Sequence, residues 1–243
     1  MLRGSCTGLL FAVPFEGGRL VRAMSERRRI VFGRQVFTAG RIAGIEAVAA
    51  ASGIGAVNAA HAAGLMILAF RPSRIVLAGV AGAYRRSGLG VGDVAVADEE
   101  IYGDAGVRTD RSIDPMDSIG IPLVTRGGRK FFNRYPMNRA LARKAVSAAR
   151  RAFAGSHRVA SGPMATVAAC SGTVRQADII GKKHAAVCEN MEGAAVAQVC
   201  ALYGVPLVEI RGVSNIAGIR DKKKWDLQLA SEVSQNAVLA FLS

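Results

Sequence analysis

Apolar residues in this chain fall into two recurrent patterns: short unbroken runs of strand length, and longer stretches in which they return every third or fourth position. Residues 9–13 are the first unbroken run and predict a buried strand. After Glu16 the spacing of Leu20, Val21 and Met24 predicts a helix that ends at the charged Arg27, Arg28 and Arg29. Residues 29–37 and 41–51 follow as two further strand-like segments. Ser52, Gly53, Ile54 and Gly55 then break the pattern, and from 56 to 70 small and apolar residues recur at helical spacing. A strand over 74–78 runs into Gly79, Val80, Ala81 and Gly82, where missing side chains leave room for a group lying across the sheet edge.

Gly88, Gly90 and Gly92 precede a strand over 93–97 instead of opening a helix, so they read as a turn and not as a dinucleotide-binding fingerprint. Residues 102–135 are irregular and polar, and their length points to a functional or interface role. Beyond them come a basic amphipathic helix (138–153), strands at 159–162 and 185–188, a helix at 191–203, a strand at 205–212 and a closing helix at 225–242. The alternation predicts an α/β fold in a single domain, with a mostly parallel, twisted mixed sheet covered by helices.

A chain of 243 residues, 51% of them hydrophobic, has enough apolar surface for one large core. Its 32 Lys and Arg against 18 Asp and Glu leave a formal charge of +14, which favours anionic ligands. The basic runs are scattered over helix ends and loops without interleaved aromatics, so nucleic acid is not the expected partner. Cys6, Cys170, Cys188 and Cys200 show neither a disulfide framework nor zinc spacing, and the three histidines complete no site. No metal or cofactor is expected, and a reducing, cytoplasmic location fits. The early apolar run is broken at Pro14, too short for a membrane span or a signal peptide, so no membrane partner is expected either.

Candidate chemistry sits late in the chain. The apolar run 205–210 should be buried on both faces, which puts Arg211, Ser214 and Asn215 where that strand reaches its ligand-facing end. Ser214 and Asn215 serve equally well as caps for the next segment. Glu189, Asn190 and Glu192 stand at the start of the helix over 191–203; the helix dipole accounts for one carboxylate there but not for the whole group. If that helix points back toward the 78–82 edge, Glu192 shares a crevice with Asn215 and can accept two hydrogen bonds from a vicinal diol such as a ribose.

Six segments in this order, FAVPFE, GIGAVNAA, LAGVAGA, GLGVGDVAVADEEIY, ENMEGAAVAQVC and EIRGVSN, resemble the nucleoside phosphorylase and nucleosidase superfamily over nearly the whole chain. Within it they resemble the branch that contains methylthioadenosine/S-adenosylhomocysteine nucleosidase and futalosine hydrolase. The resemblance implies that Glu16 activates water for attack on the sugar, Met191 packs on the ribose and Glu192 holds its hydroxyls. It also implies that Val80, Ala81 and Gly82 line the wall under the ribose, and that Thr166 and Val167 belong to a loop closing over the base. Taken on their residues alone, Glu16 is also a first-turn helix carboxylate, Met191 a core filler, and Thr166 and Val167 an ordinary connection.

Where adenosine-type nucleosidases carry Ser-Asp, this chain has Ser214-Asn215. An asparagine cannot protonate N7 of the leaving purine, but its amide can donate to N7 or O6 of a 6-oxopurine; it can also pair with adenine. Together with Gly218, Arg220, Asp221 and Trp225 this ending resembles futalosine hydrolase, and implies hydrolysis of futalosine to hypoxanthine, with Arg220 among the substrate contacts. Trp225 also reads as an anchor for the last helix. Left open are a methylthioadenosine-type or 6-amino-6-deoxyfutalosine nucleosidase, a purine nucleoside phosphorylase and a non-catalytic purine nucleoside binder. The family resemblance also implies a homodimer or larger homo-oligomer.

Overall fold

The computed structural model describes residues 6–110 and 112–243. The chain begins β1 (Thr7–Phe11), α1 (Pro14–Ala23), β2 (Ser25–Phe32), β3 (Gln35–Ile42), β4 (Ile45–Ala51), α2 (Ala56–Phe70), β5 (Arg74–Ala83) and β6 (Val94–Tyr102). The irregular middle holds five short strands, β7 (Val107–Arg108), β8 (Ile113–Asp114), β9 (Val124–Arg126), β10 (Arg129–Phe131) and β11 (Arg134–Pro136). It closes with α3 (Arg139–Phe153), β12 (Val159–Thr166), α4 (Val174–His184), β13 (Cys188–Asn190), α5 (Gly193–Tyr203), β14 (Leu207–Ile216) and α6 (Leu227–Leu242).

A 10-stranded mixed sheet organises these elements, in the order β11-β6-β12-β13-β5-β1-β4-β3-β2 with β14 joined to both β5 and β6. β4, β1, β5 and β14 run parallel at its centre, as do β6, β12 and β13. β14 is antiparallel to β6 and β13 is antiparallel to β5, so the pairings β5-β14-β6-β12-β13-β5 form a closed circuit. Among the described residues no helix is long and apolar enough to cross a membrane.

Period-two alternation divides the core. In β1, Leu10 packs with Met66, Leu77 and Val196 on one face, while neighbouring Leu9 joins Val76, Val208 and Phe241 on the other. Helices α2 and α5 cover the first face; α1, α3 and α6 cover the second.

Two stretches differ from the sequence reading. Residues 25–51 make three antiparallel strands instead of two segments, because Gly33-Arg34 and Ala43-Gly44 take positive φ at both positions, the geometry of a tight hairpin turn. Outermost β2 is almost wholly exposed, and its arginines suit an edge that must not pair further. Helix α4 has no counterpart in the expected elements. Its polar sequence VRQADIIGKKH hides the apolar period, and the local signal is the cap: the Thr173 hydroxyl accepts from the backbone N–H of Gln176.

Candidate active site

Glu16 is buried in the first turn of α1, where Oε2 accepts from the backbone N–H groups of Ala12 and Val13, each at 3.1 Å. That is the reciprocal half of a capping box, and it fixes the carboxylate against the start of its own helix. Oε1 reaches across to β5 and accepts from the Val80 N–H at 2.9 Å. Burial pushes the Glu16 pKa up, and this outweighs the opposing pull of Arg211 and the backbone donors.

Glu192 stands at the N-cap position of α5, whose first N–H groups are taken by Asn190 Oδ1, and both of its own oxygens are engaged elsewhere. Oε1 accepts from the Gly55 N–H at 2.9 Å and Oε2 from Arg211 Nη1 at 3.3 Å. Arg211 is buried in β14 and engages four of its five N–H groups: besides Glu192, Nε donates to Glu209 at 2.8 Å, Nη1 also to the Val80 carbonyl at 3.3 Å, and Nη2 to Asn190 Oδ1 at 3.4 Å. Burial works against its charge, but Glu209, Glu192 and Glu16 prevail and hold its pKa above the usual arginine value. Gly79 makes this possible, since a Cβ there would stand 2.6 Å from Arg211 Nη1 and 3.1 Å from Glu16 Oε1.

At the other end of the same strand the amide of Asn215 is oriented by its neighbours. Nδ2 donates to the Ile216 carbonyl at 3.0 Å, which requires Oδ1 to face the Ser214 hydroxyl, 2.9 Å away and donating. Among the described residues the second N–H of Nδ2 has no partner.

One cavity of about 300 Å3 gathers these groups. Glu16, Val80, Ala81, Gly82, Asn190, Met191, Glu192, Ser214, Asn215 and Arg220 line it, with Gly218 and Trp225. Arg211 does not; it lies behind the wall as the shared counter-ion of the carboxylates. Thr166 and Val167 are not among the residues that line it, although Cys170 of the same connection is. Thr166 is buried, its hydroxyl donating toward Glu100 and accepting from the Ala194 N–H, while the Val167 N–H binds the Asn190 carbonyl. Both residues brace β13 and the start of α5 from behind.

Several contributors were not foreseen. Phe15, Ile54, Cys170 and Leu227 line the cavity; Glu189, singled out in the sequence, lines it as well while accepting from Tyr84 and Ser171. The buried acids Glu100 and Glu209 form the layer beneath Arg211. Glu209 was legible, because a carboxylate within VPLVEIRG, two residues from an arginine on the same strand face, needs that arginine as its partner. Glu100 was not, since its partners Thr166 and Asn190 lie 66 and 90 residues away along the chain.

The fold agrees with that of known proteins. Residues 7–243 match the Phosphorylase superfamily, and the chain belongs to it. Among its relatives is the 5'-methylthioadenosine/S-adenosylhomocysteine nucleosidase of Geobacillus thermodenitrificans, 33% identical over 238 residues that cover 97% of this chain and 95% of that one. Futalosine hydrolase of Thermus thermophilus is 32% identical over 192 residues, 79% of each chain. Among solved structures, the Neisseria meningitidis 5'-methylthioadenosine/S-adenosylhomocysteine nucleosidase in complex with methylthio-immucillin-A aligns with a TM-score of 0.83 at 27% identity, covering 98% of both chains.

Proposed function

We propose that this chain is an enzyme that hydrolyses the N-glycosidic bond of purine nucleosides, and that its substrate is futalosine, released as hypoxanthine and dehypoxanthine futalosine. The observation that carries the reading is the convergence of Glu16, Glu192 and Asn215 on a single cavity of nucleoside size. Its nucleosidase and futalosine hydrolase relatives support the hydrolytic class.

Glycosidic cleavage develops positive charge on the sugar ring. Glu16, immobile and with a raised pKa, deprotonates the attacking water, and Glu192 fixes the ribose hydroxyls. Water rather than phosphate is the favoured nucleophile, because the cation acting on Glu16 is Arg211 and four of its five N–H groups are already engaged, by Glu209, Glu192, Val80 and Asn190. Asn215 receives the departing base. Its free N–H suits the acceptors of hypoxanthine, and the Ile216 carbonyl holds the amide in that orientation.

A second reading, a 5'-methylthioadenosine/S-adenosylhomocysteine nucleosidase, is favoured by the match along 97% of the chain to a relative of that name. One panel separates the two: hypoxanthine release from futalosine and inosine against adenine release from methylthioadenosine, each with and without phosphate. Futalosine is expected to be cleaved with the highest kcat/KM, independently of phosphate, and Asn215→Asp to shift the preference toward adenine. Faster release of adenine by the wild type refutes the futalosine assignment, and binding without release of any base refutes catalysis.

A second copy of this chain is the proposed partner for the exposed face of α2, where Val57 is 83% and Leu68 57% accessible. Light scattering reads the subunit number directly.

A further inference from the structure

We infer that Arg220, stacked on Trp225 in the wall of this cavity, is the counter-ion for a carboxylate on the 5′ substituent of the nucleoside. The site would therefore take 5′-extended nucleosides whose tail combines an apolar segment with a terminal acid. The inference rests on the nucleosidase reading given above.

The chain has 32 lysines and arginines, and among the described residues Arg220 alone of them lines the cavity. Arg211, the other arginine of the site, is paired to Glu209 and Glu192 and also donates to the Val80 carbonyl and the Asn190 side chain. Arg220 differs in kind: among the described residues no carboxylate forms an ion pair with it, and its contact is the Trp225 ring, 4.9 Å from the guanidinium carbon. Stacking of that sort holds the plane of the guanidinium and leaves its N–H edge free, which suits a two-point contact with a carboxylate.

The stack is itself anchored. Trp225 Nε1 donates to the Ile219 carbonyl at 2.8 Å, and the Asp226 N–H donates to the Ser214 carbonyl at 2.9 Å, so the segment carrying the cation is tied to the strand that carries Asn215.

Its neighbours give the apolar half of the site. Phe15 and Leu227 are 49% and 43% exposed, and both line the cavity next to Glu16. They are held together because Ser231 and Gln235 of α6 donate to the Phe15 carbonyl at 2.9 and 3.2 Å. With Glu16 and Glu192 at the sugar in this reading, Phe15, the residue before Glu16, and Leu227, two residues past Trp225, are the lining groups assigned to the 5′ substituent. Half-exposed aromatic and aliphatic side chains there match an apolar tail, and Arg220 matches its acidic end.

The test crosses ligand charge with protein charge. kcat/KM is measured for futalosine and its methyl ester, and for S-adenosylhomocysteine and its methyl ester, with wild type, Arg220→Met and Arg220→Lys. In the wild type the acid should exceed its ester by about tenfold to a hundredfold, the range for a hydrogen-bonded charge. That ratio should fall close to one in Arg220→Met and be kept in part by Arg220→Lys. A ratio confined to one of the two pairs identifies the tail and supports the assignment. A wild-type ratio near one for both pairs, or a ratio that survives Arg220→Met, overturns it. If no base is released from any compound, the nucleosidase reading fails on its own; the acid-to-ester ratio of Kd from calorimetric titration then tests Arg220 by the same criteria.

Discussion

A carboxylate held by three backbone N–H groups would ordinarily be a strong acid, yet burial pushes the Glu16 pKa upward despite those donors and the nearby Arg211. A base works only when ionised, so activity that depends on Glu16 is lost as pH falls through its raised pKa. The acid limb of kcat/KM is therefore expected at a pH above the ordinary value of 4.5. Glu16→Gln keeps the shape but cannot take a proton, and should lower kcat by about a hundredfold or more. Base release followed over a pH series in both proteins checks this; an unchanged rate in the variant assigns the water-activating role elsewhere. At this scale the types of residue were readable from FAVPFE, ENMEG and RGVSN. What each one touches was not: Arg211 stands next to Ser214 and Asn215 in sequence and yet lies behind the cavity wall.

Elements carry these residues to one place, and glycines decide how closely they approach. In LAGVAGA the glycines suggested space for a ligand, but the structure gives the space at Gly79 to the Arg211 guanidinium and the Glu16 carboxylate. Gly79→Ala would set a methyl 2.6 Å from Arg211 Nη1, in a wall where nothing can move aside freely. Overpacking of that kind costs about 1–3 kcal/mol. Urea unfolding should show a lower midpoint with unchanged slope, and kcat/KM should fall as Arg211 and Glu16 are displaced. Helix α2 was legible from end to end because its small and apolar residues recur at helical spacing around Asn58 and His61. Helix α4 was not, because eleven residues with mixed polarity present a weak period. The hairpins of β2–β4 depend on Arg34 and Ala43 taking positive φ, a conformation their side chains do not advertise.

Across the whole molecule, every strand of the closed circuit contributes to one buried polar layer. Glu100 comes from β6, Thr166 from β12, Asn190 from β13, Glu209 and Arg211 from β14, and the Val80 carbonyl from β5. Burial, followed by repulsion from Glu209, raises the Glu100 pKa well above 4.5 and favours the protonated carboxyl, while Glu209 Oε2 has no donor among the described residues. The folded chain binds this proton more tightly than the unfolded chain does. Its contribution to stability is thus complete below about 4.5 and is lost as pH rises toward the folded value. Tm should decline on the alkaline side, and Glu100→Gln should flatten that decline; a slope identical in both proteins locates the titration at another group.

By itself the sequence determined the alternation of strands and helices, the α/β class, and a set of motifs whose polar members are chemically suited to a nucleoside, because periodicity and residue type are local properties. Only the tertiary structure decided which of those polar groups face a ligand and which are consumed by one another. A buried charge is available for chemistry only after its internal partners are counted, and those partners come from strands far apart in the chain.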